Sequence, residues 1–138
     1  MIRVQTVDFN PADELEQLRS VNNGKAGAMV SFTGLVRDLN EGDNITQLTL
    51  EHYPGMTEKA LAKIETQANA QWELTATLII HRVGPLQPND NIVLVVAASM
   101  HRKQAFAACE FMIDTLKTSA PFWKKESLQN SDRWLAPG

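Results

Sequence analysis

The chain has a single cysteine, Cys109, among its 138 residues. A lone thiol cannot close an internal disulfide or hold zinc without other ligands, and it fits a reducing compartment. Nowhere do about 18 apolar residues run together, so no membrane-spanning helix is expected. The opening residues, MIRVQTVDFNPADELEQL, lack a basic segment followed by an apolar one, which points to a cytoplasmic protein with no membrane partner. The net charge is only -3, so a non-specific nucleic-acid binder is not expected and any anion site must be a local cluster. G-x-S-x-G, the P-loop and G-x-G-x-x-G are all missing, which removes three common enzyme readings. His52 and His81 fall within strand patterns and have no partner at metal-ligand spacing, so neither a metal nor another cofactor is expected.

The length and the 43% hydrophobic content match one globular domain over residues 1–138, large enough to bury a substantial core. Asn10-Pro11 followed by Asp13 and Glu14 supplies a cap, a proline for the first helical position and acids for the positive end of the dipole. A short helix follows, ending before Asn22-Asn23-Gly24. Alternation from Gly27 to Arg37 predicts a strand that presents Arg37 at its end. The polar stretch Asp38 to Asn44 reads as a mobile connection to a second strand, Thr46 to Tyr53. Leu61, Ile64, Ala68 and Trp72 recur at helical spacing and predict a helix over 57–72. Leu74 to Arg82 is a further strand, Gly84-Pro85 and Pro88-Asn89-Asp90 a tight connection, and Ile92 to Ala98 an apolar run expected to be a central strand. The third helix, Lys103 to Thr118, carries Ala105, Cys109, Met112 and Leu116 on its core stripe and is stopped by Pro121. This order, α-β-β-α-β-β-α, indicates an α+β or mixed α/β architecture.

Cations cluster at the ends of these elements: Arg37, His101-Arg102, Lys117 and Lys124-Lys125. If the ends converge, they form a pocket suited to phosphate or another small anion. Each also has a plainer reading. Arg37 can pair with Asp38 or Asp43 on the surface, and His101 can cap the helix that follows it. Lys117 suits the negative end of a helix dipole, and Lys124 and Lys125 can lay their stems over Phe122 and Trp123. The helical phase of Cys109 puts its thiol on the buried face, where it acts as a small hydrophobe.

Five strings carry more information than their chemistry alone: VSFTGLVRD from Val30, LTLEHYPGMTEKAL from Leu48, HRVGPLQPND from His81, SMHRKQAF from Ser99 and LKTSAPFWKKE from Leu116. In this order, over Gly27 to Trp134, the chain resembles the large, catalytic subunit of molybdopterin synthase. The resemblance implies an α/β hammerhead fold with an additional antiparallel sheet, and a homodimer at the centre of a heterotetramer. It also implies a small ubiquitin-like sulfur-carrier partner whose C-terminal Gly-Gly thiocarboxylate donates sulfur to cyclic pyranopterin monophosphate, forming the dithiolene of molybdopterin. The carrier's Gly-Gly ending is not found here, where the last residues are Pro137-Gly138.

The family's pocket residues match this chain at Arg37, with Leu35 and Val36 as neighbouring wall, at the pair His101 and Arg102, at Lys117, and at Lys124, Lys125 and Glu126. Many relatives have a lysine where Leu35 stands. The implied roles are phosphate and pterin binding for Arg37, His101 and Arg102, and catalysis for Lys117 and Lys124, with all five cations gathered round one hollow. Two other readings stay open at this stage: a non-catalytic adaptor that binds the partner without turnover, and an unrelated phosphate-ester transferase.

Overall fold

Ile92 to Ala98 is apolar at nearly every position because both of its faces are covered. In the computed structural model, which describes residues 1–40, 42–128 and 131–135, this run lies within β8 (Asn91–Ser99). On one side β8 pairs antiparallel with β6 (Ala76–Arg82), and on the other with β2 (Ala28–Leu35). A short strand, β1 (Ile2–Gln5), joins β6 in parallel and completes the order β1-β6-β8-β2. Val93, Val95 and Ala97 point to the face covered by α2 (Met56–Gln71) and α3 (Arg102–Ser119). Leu94 and Val96 point the other way, to the face covered by α1 (Pro11–Val21). Each fully buried side chain of this kind contributes ~1.5–3 kcal/mol, so the two-sided run anchors the fold.

Local signals hold at the helix starts. The Asn10 side-chain oxygen accepts from the N–H groups of Ala12 and Asp13 at 2.9 and 3.3 Å, and Glu14 in that first turn is buried against Arg3. Gly55, at φ 86°, turns the chain into α2 while its N–H donates to the Glu58 carboxylate at 2.6 Å. Side chains other than glycine rarely take that φ.

A second sheet has the order β10-β9-β5-β7 and is antiparallel throughout. Its strands are β5 (Gln47–His52), β7 (Gly84–Leu86), β9 (Phe122–Ser127) and β10 (Asp132–Leu135). The mixed architecture with an added antiparallel sheet agrees with expectation, but three of these strands do not follow from the pattern. Gly84-Pro85 reads as a connection, yet β7 forms at a sheet edge, where proline's missing N–H is tolerated. The lysine-rich β9 has weak intrinsic strand preference and exists because β5 and β10 pair with it on both sides. β10 in turn depends on β9. Two residue pairs in the expected mobile connection, β3 (Leu39–Asn40) and β4 (Asp43–Asn44), form a small antiparallel ladder; Glu41 lies outside the described residues. Among the described residues no helix is long and apolar enough to cross a membrane.

Candidate active site

Between the end of β2, the C-terminal end of α3 and the inner face of the second sheet lies a cavity of about 500 Å³. Buried Val36, Leu48, Leu50 and Leu86 pack together beside it, and its wall combines apolar side chains with polar and charged ones. Arg37, Lys117 and Lys124 are three of those groups, and Leu35, Val36 and Glu126 line the same space. Three cations more than eighty positions apart in sequence at the extremes thus share one hollow.

Each is delivered by a distinct local device. At Gly34 the strand comes so close to β8 that a Cβ would lie 2.8 Å from Val93 Cγ1, and the register shifts at Gly34/Leu35. The Val36 N–H then donates to the Asp90 carbonyl at 3.0 Å, and the Asn89 N–H to the Val36 carbonyl at 2.7 Å. That pair pins the strand end and leaves Arg37 exposed beside the cavity. Its guanidinium donates to the Asn40 side-chain oxygen at 3.4 Å and makes no ion pair among the described residues. Of the two acids considered as its partners, Asp38 and Asp43, the second is bound by Arg133 instead, at 2.9 Å.

Lys117 leaves the last turn of α3, and its Nζ lies 6.0 Å from the centroid of the Phe32 ring, where the aromatic face attracts a cation. Lys124 comes from the inner face of β9. Burial, and then the charge of Lys117, lower its pKa, while Glu126 opposes the shift. Both effects favour the neutral form of Lys124 relative to a lysine in water. Glu126 is itself buried and accepts from Asn40 Nδ2 and Arg133 Nε, both at 2.7 Å. Arg133 Nη2 donates to the Asn40 carbonyl at 2.9 Å. This network ties β3, β9 and β10 together on the side of the cavity occupied by Lys124.

The remaining matched residues lie elsewhere. Lys125 alternates to the outer face of β9, where its Nζ sits 5.6 Å from the Trp134 ring, a different aromatic from the Phe122 and Trp123 considered for it. His101 and Arg102 are exposed at the start of α3, and His101 makes no side-chain cap to the helix. Lys117 is at the opposite end, about 22 Å away at the rise of an α-helix. The expectation of five cations round one hollow is corrected to three within a single chain, because the length of α3 separates the His-Arg pair from Lys117. The part of the 38–44 loop at Glu41, and residues 129, 130 and 136–138 of the tail, lie outside the described residues.

Cys109 is buried, its pKa pushed up to about 11 by that burial, and its Sγ is 3.7 Å from the Val95 carbonyl. A thiol so held is not ionised near neutrality.

Residue-pattern reasoning missed His81, Asn40, Arg133 and Phe32. His81 reads as a strand residue and lies in β6, and it also lines the cavity. The available signal was a polar residue closing an apolar strand.

His81 is almost wholly buried, and its pKa falls to about 4, mainly from burial, with the charges of Lys124 and His52 lowering it further and a bond to the Arg82 carbonyl opposing. Between pH 6.5 and about 4 the unfolded chain takes up a proton that the folded chain refuses, so stability falls with falling pH over that window. The full contribution, from the depression of the pKa, is about 3 kcal/mol. Urea unfolding of the wild type and of His81→Phe at pH 7 and pH 4.5 checks this. The wild type is expected to lose more stability than the variant on acidification, and equal losses would show that the ring is not held neutral.

The sequence pattern of the family described as "MoaE protein" matches residues 4–119. The chain belongs to this family. It is 54% identical over 134 residues to the "Molybdopterin synthase catalytic subunit" of Ralstonia nicotianae, covering 97% of this chain and 76% of that protein. The crystal structure of "Molybdopterin Synthase from Staphylococcus aureus" superposes with a TM-score of 0.88 at 37% identity, covering 97% of this chain and 96% of the other. A MoaE protein from Burkholderia ambifaria superposes with a TM-score of 0.85 at 48% identity, covering 99% and 89% of the two chains. The family pattern ends before β9, but these relatives match 97–99% of the chain and so take in both sheets and α3, the elements that build the cavity.

Proposed function

We propose that this chain is the catalytic subunit of a molybdopterin synthase. It is a sulfurtransferase that moves sulfur from the C-terminal thiocarboxylate of a small ubiquitin-like partner to cyclic pyranopterin monophosphate. The observation that supports this most directly is the meeting of Arg37, Lys117 and Lys124 in one cavity of a MoaE-family chain. Both reactants carry negative charge where they react or bind, and apolar side chains beside the fixed cations strengthen that attraction. Arg37 binds the cyclic phosphate. Lys117 sits at the partner's terminal carbonyl and assists attack by the thiocarboxylate sulfur, stabilising the charge that develops there. Lys124, with its depressed pKa, orients the same intermediate and can relay a proton.

His101 and Arg102 serve this reaction from a second copy of the chain. They cannot reach their own cavity, and the homodimer implied by the family resemblance supplies another. The decisive experiment is anaerobic incubation with cyclic pyranopterin monophosphate and thiocarboxylated small subunit, followed by detection of the dithiolene product. Product formation only in the presence of the thiocarboxylated partner is expected. Binding of the partner with no product would indicate an adaptor, and turnover without the partner a plain transferase.

A further inference from the structure

We infer that His81 is a further substrate-binding residue of the cavity: a neutral, tautomer-fixed acceptor that takes an N–H of the pterin ring through Nε2. This rests on the proposed function for the identity of the ligand, and on geometry for the site.

The imidazole is held from two directions. One face stacks on Phe122, with centroids 3.7 Å apart and planes at 16°. Nδ1 lies 2.8 Å from the Arg82 carbonyl, and a carbonyl oxygen only accepts, so Nδ1 carries the proton. The Nε2 lone pair is therefore left available. Nε2 makes no hydrogen bond among the described residues, yet among them no shut-off side-chain nitrogen or oxygen lacks a partner. Because only 3% of the residue is exposed and the residue lines the cavity, Nε2 is the polar atom that meets that space.

The neighbouring side chains explain why such an atom is useful. Arg37, Lys117 and Lys124 are donors that suit phosphate and carboxylate oxygens. Glu126 already accepts from Asn40 and Arg133, and the Asn40 side-chain oxygen from Arg37. A pterin presents lactam and exocyclic N–H groups, which three cations cannot satisfy. An imidazole that stays neutral beside these cations accepts such an N–H without adding to their mutual repulsion. Its rigid stack sets the direction of the bond before substrate arrives, which limits the ordering cost of binding.

Two variants separate the nitrogens. His81→Asn keeps a donor near the Arg82 carbonyl and has nothing at the position of Nε2, whereas His81→Gln brings an amide oxygen towards it. Titration of the dimer with cyclic pyranopterin monophosphate under anaerobic conditions is expected to give a Kd raised roughly ten-fold or more for His81→Asn and partly restored for His81→Gln, the range for one buried hydrogen bond. Binding of inorganic phosphate, read in parallel, should change by less than about two-fold in either variant, since one buried bond to the ring leaves the cations in place. Equal pterin affinity in His81→Asn and wild type, or a parallel loss of phosphate binding, would overturn the inference. If wild type forms dithiolene product while His81→Asn keeps full affinity, this inference fails alone. If the pterin affinities differ as expected but no product forms with thiocarboxylated partner, the turnover reading fails and His81 stands.

Discussion

Lys117→Ala is expected to lower dithiolene formation by roughly 10²–10³-fold while the complex with the small subunit still elutes as one species. The magnitude separates two readings of the same residue. If Lys117 merely complemented the dipole of α3, its loss would cost ~0.3–1 kcal/mol of stability and leave the chemistry unchanged. In the structure its ammonium is held over Phe32 beside the cavity and is close enough to Lys124 to lower that residue's pKa. Two like charges brought together in a low-dielectric wall are a stability cost without a ligand. Their placement is understandable if an anion arrives between them. Single-turnover rates with saturating partner and pterin measure the effect directly, and near-normal rates would remove Lys117 from the reacting atoms. A secondary consequence follows for Lys124, whose pKa should rise when the Lys117 charge is removed.

Chains carrying Lys117→Ala and chains carrying Arg102→Ala should each be nearly inactive alone, yet recover activity when unfolded or dissociated together and reassembled as mixed dimers. With random pairing half of the dimers are mixed, and each mixed dimer has one intact site and one doubly altered site. About a quarter of the wild-type rate is therefore expected for a symmetric two-fold assembly. The reason is the length of α3: Arg102 opens the helix and Lys117 lies in its last turn, so a single chain cannot close the two round one small ligand. No recovery from reassembled mixtures, with dimers confirmed by size, would mean that the His-Arg pair does not act across copies. Full activity of Arg102→Ala on its own would remove that residue from the site altogether.

How much of this was legible beforehand differs by element. The β8 run, the stripe of α3 and the Asn10-Pro11 start of α1 were readable because each is set by local periodicity or by a cap that forms within four residues. The buried state of Cys109 followed from the same helical phase. The second sheet was half hidden, since β7, β9 and β10 take their strand state from partners distant in sequence. Among the site residues, Lys117 and Lys124 were found as cations at element ends; residue pattern alone did not separate Lys125 from Lys124, a distinction that came from the family resemblance and, in the structure, from the register of β9, which sends one inward and the other to Trp134.

Sequence alone determined the central strand, the helices and a set of cations that matches the MoaE family, because these depend on neighbours a few positions apart. Tertiary structure alone decided which cations share a cavity, that α3 parts His101 and Arg102 from Lys117, and that Glu126 is buried against Arg133 and Asn40. It also turned His81 from a strand residue with no assigned role into a neutral group at the cavity wall. The physical reason is that burial and charge proximity, which set what a side chain can bind or protonate, arise between segments that meet only when the two sheets pack.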